Sequence, residues 1–168
     1  MTLGADHPDT LDVMAGLAWS YRGAGRPDEG IRLAEKVLVL QRAKLGADHR
    51  DTLLTVSRLG DAYRTASRPD EAIRLLEPSL RLCRSKLGSG DEVTLDTMNN
   101  LGLAYRSAGQ LPQAVALLEE TRDAMKAKGG TDWMETLNTT NNLAEALVAS
   151  ERPAPAIAML EESLRLCK

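Results

Sequence analysis

Phenylalanine is absent from this chain of 168 residues, and Trp and Tyr bring the aromatic content to only 3%. With so few aromatics and an abundance of Leu and Ala, the core suits helix-on-helix packing better than sheets, because both are strong helix formers without β-branching. Long apolar runs are missing too. None approaches the ~20 residues that a membrane-spanning helix requires, so no membrane partner is expected. There is no excess of basic residues: the formal net charge of −3 argues against nucleic acid as a main partner, since phosphate binding wants a positive surface. Cysteine is scarce, with two in all. The opening string MTLGADHPDT has neither the basic head nor the apolar stretch of a secretory signal. Together these point to a reducing compartment and a cytoplasmic location.

What the chain does have is a repeat. The string LGADHPDTL begins at Leu3 and LGADHRDTL at Leu45; LGSGDEVTL follows from Leu87 and GGTDWMETL from Gly129. Laid over one another without gaps, residues 3–44 and 45–86 agree at 24 of 42 positions. Some columns never change across the four copies, among them Thr10, Thr52, Thr94 and Thr136; Leu17, Leu59, Leu101 and Leu143; and Glu35, Glu77, Glu119 and Glu161. Self-similarity at a fixed period of this length marks a stacked solenoid, because one small unit cannot bury its apolar surface alone. We divide the chain into copies 3–44, 45–86, 87–128 and 129–168 of a single array.

Within each copy the apolar spacing is helical. Leu11, Met14, Leu17, Ala18 and Tyr21 fall on one helix face, GAGRPDE breaks the pattern, and a second face runs through Ile31, Ala34, Val37 and Leu38. Pro27 and Pro69 sit where proline opens a helix at little cost, followed by acidic residues that suit the helix dipole. The unit is helix–turn–helix, and the chain is expected to hold eight helices. Pro78 is expected to kink the second helix of copy two.

The stretch NNLGLAYRSAGQLPQAVALLEE, Asn99 to Glu120, resembles a tetratricopeptide repeat through Leu101, Gly102, Tyr105, Gly109, Ala114 and Leu118. The 42-residue period, the LGADHPDT joint and the NNLA at Asn141–Ala144 are similar to the kinesin-light-chain subtype. The resemblance covers practically the whole chain; Leu147 in place of Tyr, Glu151 in place of Gly, and Pro78 depart from it. It implies an all-α, right-handed α-α superhelix of four repeats. It also implies that first helices line a concave groove in which extended peptides or partner segments bind, with second helices on the convex side.

Catalytic constellations are missing, so no enzyme activity and no cofactor are expected. GAG at Gly23–Gly25 reads as an inter-helix turn, not a phosphate loop. His7 and His49 occupy the same position at successive repeat joints, without zinc-motif spacing, and read as capping or solvated groups. Cys83 and Cys167 lie two repeats apart, too far for a disulfide. The constant glutamates, with Arg32 and Arg74 three residues before two of them, read as a solvated, ion-paired face.

Helical phase places the groove residues. Copy one offers Asp12, Ala15, Trp19 and Arg22; copy two Leu54, Ser57, Asp61 and Arg64; copy three Asp96, Asn99, Leu103 and Arg106; copy four Asn138, Asn141, Glu145 and Val148. Arg58, Asn100 and Asn142 fall at the groove edge or between repeats. Arg22, Arg64 and Arg106 recur at the 42-residue spacing and form a ladder that suits an acidic or phosphorylated segment. The alternative is that each pairs with a groove carboxylate such as Asp61 or Asp96 and holds repeats together. The asparagines offer amides to a peptide backbone, and Trp19 offers an aromatic anchor. The carboxylate clamp found in some tetratricopeptide domains is not matched: where it needs Lys and Asn, copy one has Ala15 and Trp19 and copy two has Ser57 and Asp61.

The repeat is in register from its first residues and stops at LRLCK, so a segment of a longer array is expected, with Ile157, Leu160 and Leu164 exposed at one end and able to stack on another copy. The reading that follows is a non-catalytic scaffold for proteins or peptides. The alternative is a self-association or assembly module that docks onto or regulates an attached catalytic domain.

Overall fold

The computed structural model describes Gly4, residues 7–127 and residues 133–166, with the backbone alone at Pro8, Arg22, residues 133–135 and Leu166. Among the described residues there are eight helices and no strand: α1 (Pro8–Gly23), α2 (Pro27–Lys44), α3 (Arg50–Thr65), α4 (Pro69–Lys86), α5 (Glu92–Ser107), α6 (Leu111–Ala127), α7 (Trp133–Ala149) and α8 (Pro153–Leu166). They pair as α1–α2, α3–α4, α5–α6 and α7–α8, one hairpin for each sequence repeat.

Local chemistry explains where the helices start and stop. Pro27 and Pro69 occupy the first turns of α2 and α4, ahead of Asp28, Glu29, Asp70 and Glu71; proline lacks only an N–H that would be orphaned there anyway. At the joints between repeats one column supplies caps. The Asp9 N–H donates to His7 Nδ1 at 3.2 Å, the Asp51 N–H to His49 Nδ1 at 3.3 Å, and the Val93 N–H to Asp91 Oδ1 at 2.9 Å. Each bond satisfies a donor that the first helical turn leaves open. Gly46 and Gly88, with φ of +97° and +91°, end the preceding helices in the left-handed conformation. Gly130 and Cys167 lie outside the described residues. The turn inside each repeat also needs a left-handed residue, and it falls on Gly25, Ser67, Gly109 and Glu151, again 42 apart.

α4 runs unbroken through Pro78. Pro78 sits on an exposed face, so its ring displaces no neighbour, although the Arg74 carbonyl loses the N–H it would have received. Two of the constant glutamates have a partner that the expected solvated, ion-paired face did not include: Glu35 and the exposed Glu77 accept hydrogen bonds from the hydroxyls of Tyr63 and Tyr105 on the next repeat.

The backbones of successive first helices come close, α1 with α3, α3 with α5 and α5 with α7, whereas described second helices meet only through long side chains, such as Arg84 on α4 with Glu120 on α6. A layer whose members touch lies on the inside of the curve. The concave face is therefore built from α1, α3, α5 and α7. Packing inside a repeat is tight. A Cβ on Gly60 would lie 2.5 Å from Leu76, and one on Gly102 would lie 2.7 Å from Leu118, so a leucine of the second helix fills the place of a missing side chain on the first. The Thr and Leu columns account for the rest of the seam: Thr52, Thr94, Leu59, Leu101 and Leu143 are buried. Leu17 is 47% exposed while Leu59 is 2%, because Leu59 packs where α3 meets the preceding repeat and no described helix precedes α1.

Candidate functional site

The residues expected to line the groove divide into an open set and a set drawn into the seams. Asp12, Trp19, Asn138, Asn141, Glu145 and Val148 are exposed, and Ala15, Leu54, Asp96 and Asn99 are half-buried. Ser57, Asp61 and Leu103 are buried, at 1%, 8% and 8% exposure, so they present little surface to a ligand. The side chain of Arg22 lies outside the described residues.

Helix–helix bonding explains the burial. Asn100 Nδ2 on α5 donates to the Ser57 hydroxyl at 3.1 Å and its carbonyl at 3.3 Å on α3. One repeat later Asn142 Nδ2 on α7 donates to Asn99 Oδ1 on α5 at 3.0 Å. Neutral amides thus tie consecutive inner helices, each bond worth about 1 kcal/mol net. Asn100 and Asn142 belong to the seams; Asn141, on the neighbouring face of α7, remains exposed.

The arginine ladder is internally neutralised at two of its rungs. Arg64 Nε and Nη2 reach Asp61 Oδ1 at 3.1 and 2.6 Å within α3. Arg106 on α5 pairs with Glu145 on α7. Helical spacing explains the first pair, since residues three apart share a face; stacking explains the second. Both arginines are partly buried, which leaves their guanidinium groups less screened than at an open surface. An acidic segment entering this part of the groove must displace or share a carboxylate already present.

The first-repeat end is different. Arg58 lies over the Trp19 ring at 6.0 Å from its centroid, within the range where a cation is attracted to an indole face. Arg58 makes no ion pair with any described residue. Beneath the pair, Ala18 and Ala34 occupy the places held by Gly60 and Leu76 in repeat two, and a cavity of about 30 Å³ remains, lined also by Ala15 and Leu59. Helical phase set Arg58 at the groove edge; its stacking on Trp19 depends on how α1 meets α3, which phase alone does not specify.

Among the described residues, no three His, Cys, Asp or Glu side chains gather as metal ligands, and no helix is long and apolar enough to cross a membrane. Cys83 is buried, with its sulfur 3.8 Å from the Thr97 hydroxyl, and burial pushes its thiol pKa up. A reactive thiolate is disfavoured there.

Known proteins with this geometry are solenoids. A putative kinesin light chain from Podosopora anserina with nearly identical TPR-like repeats superposes with a TM-score of 0.86 at 28% identity, over 95% of this chain and 76% of that one. A form of that protein with one glutamine exchanged for methionine gives 0.87 at 25% identity, over 98% and 77%. BtubC (BKLC) from P. vanneervenii shares the fold, with a TM-score of 0.83 at 19% identity, over 95% of this chain and 64% of that one. Among curated proteins none matches in sequence. The tetratricopeptide repeat profile matches residues 20–85, 52–127 and 93–168, and these spans, together with the stacked hairpins and the kinesin-light-chain-like neighbours, show that the chain belongs to the tetratricopeptide repeat family, whose fold acts as a protein-interaction scaffold.

Proposed function

We propose that this chain is a non-catalytic scaffold that binds an extended peptide or partner segment along α1, α3, α5 and α7. One observation carries the reading: successive first helices approach one another and form one continuous layer, a surface that an extended segment can follow from repeat to repeat. Exposed Trp19, Arg58, Asn141 and Val148 supply an aromatic anchor, a cation, an amide and an apolar contact in succession. The internal pairing of Arg64 and Arg106 favours a ligand of mixed chemistry over a uniformly acidic or phosphorylated one. Panning a displayed peptide library against the chain, then against a Trp19→Ala, Asn141→Ala variant of unchanged circular dichroism, tests the reading. Enriched peptides should lose binding at least tenfold; peptides held equally by both proteins would place the site elsewhere.

A second reading, end-to-end stacking with another copy, draws on the two end faces. Val13 and Leu17 on α1 and Ile157 and Leu164 on α8 are exposed, although the matching positions Thr55, Leu59, Val115 and Leu80 are buried by a neighbouring repeat. Light scattering across a hundredfold concentration range separates the two. Association abolished by Ile157→Glu with peptide binding intact favours stacking as an independent property, and a constant monomer mass excludes it.

A further inference from the structure

On the outer side, between α2, the joint after it, α3 and α4, lies a cleft of about 190 Å³. Its walls are largely aliphatic, with Val56, Leu75 and Leu82 among them, and Arg42, Arg74 and Ser79 also line it. The repeat shows what is missing. One repeat later, Arg84 Nη2 donates to both carboxylate oxygens of Glu120, at 2.7 and 2.8 Å. Arg42 stands 42 residues before Arg84, and Pro78 stands 42 residues before Glu120. Proline therefore replaces the carboxylate at this junction, and Arg42 makes no ion pair with any described residue.

Two further groups in the cleft are short of partners. Thr121 donates its hydroxyl to the Leu117 carbonyl at 2.7 Å, but Ser79, its counterpart, is buried and makes no hydrogen bond, with only the weakly polar Cys83 thiol beside it. The Arg74 carbonyl lacks its helical donor because Pro78 has no N–H. The nearby Asp48 carboxylate is already held by Lys86 at 2.8 Å and does not reach across to Arg42.

We propose that this cleft binds a small amphipathic carboxylate, whose carboxyl group takes the place of the absent glutamate on Arg42 while its alkyl part packs against Val56, Leu75 and Leu82. Arg74 adds a second positive charge at the same opening. A guanidinium accepts a carboxylate through paired N–H donors, which neither an alcohol nor an amine can match. The site lies on the opposite layer from the peptide groove and does not depend on that reading.

The test uses the full chain, labelled with ¹⁵N, titrated with hexanoate, 1-hexanol and hexylammonium while amide shifts are followed. Hexanoate should give saturable shifts at Ala47, Leu75 and Ser79; hexanol should bind about tenfold more weakly, the loss expected for one charge-assisted hydrogen bond. Hexylammonium should give none. Arg42→Gln should weaken hexanoate about tenfold. Pro78→Glu restores the carboxylate of the repeat column and removes a helix-interior proline, so that variant should fold at least as well and yet lose the hexanoate shifts. Absence of shifts with the parent chain, equal binding of hexanoate and hexanol, or unchanged hexanoate binding in the Pro78→Glu variant would each overturn the proposal.

Discussion

The Tyr105 hydroxyl on α5 donates to Glu77 Oε1 on α4 at 2.7 Å, and one repeat earlier Tyr63 makes the same bond to Glu35. This pairing runs between repeats, not within one, and gives a role to two members of the constant glutamate column. Burial first, and then the adjoining carboxylate, push the pKa of both tyrosines up to about 12. A phenol that stays protonated longer in the folded state stabilises that state below its unfolded pKa of about 10. The contribution is lost as pH rises from about 10 to about 12. Urea denaturation at stepped alkaline pH should show the midpoint falling across this window. In a Tyr63→Phe, Tyr105→Phe variant the fall should be smaller, with each substitution costing about 1 kcal/mol at neutral pH.

Gly60 and Leu76 are coupled by volume. Gly60→Ala places a methyl 2.5 Å from the leucine side chain, and overpacking of this kind costs about 1–3 kcal/mol. Leu76→Ala alone opens a cavity and costs about 2–5 kcal/mol. The double variant recreates the alanine pair that repeat one carries at Ala18 and Ala34, so its loss should fall short of the sum by about 1 kcal/mol or more. Additive losses in chemical denaturation would show that the close contact relaxes without help.

Ser67 and Glu151 hold φ of +60° and +59° in the turn where the other two repeats use glycine. Left-handed geometry costs a residue with a Cβ about 1 kcal/mol. Ser67→Gly and Glu151→Gly should each raise stability by up to about 1 kcal/mol, about 2–4 °C in thermal midpoint for a chain of this size. Calorimetry checks it, and a lowered midpoint would mean that these side chains make compensating contacts.

Pro78 sits in mid-helix at an exposed position. Pro78→Ala restores a donor for the Arg74 carbonyl and should stabilise the chain by about 1–3 kcal/mol. Thermal denaturation measures this apart from any effect on the cleft, since alanine brings no carboxylate to Arg42.

The period of 42 made the hairpins, their turns and their joints legible, because backbone demands recur with the repeat: Gly25 and Gly109 mark one turn, and His7, His49 and Asp91 mark one cap. The Leu and Thr columns were legible for the same reason. The groove was read less well. Helical phase treats Ser57, Asp61 and Trp19 as equivalent candidates, yet the first two are buried where α3 meets its neighbours while Trp19 stays open. That difference arises from how closely successive inner helices approach, which no single-helix pattern encodes. The partners of two of the glutamates were not legible on similar grounds. Arg32 and Arg74 are near in sequence, but the partners that hold Glu35 and Glu77 lie 28 residues on, on the following repeat.

The close approach of inner helices to one another, set against outer ones that meet only through long side chains such as Arg84 and Glu120, gives the array an uneven stiffness. Bending that tightens the curve must compress side chains already in van der Waals contact, whereas bending that straightens it need only pull a few amide and phenol bonds apart. The solenoid therefore behaves as a spring with a hard stop on one side. On the groove reading proposed above, a ligand wider than the resting groove is met by uncoiling, and one narrower than it gains no closer grip.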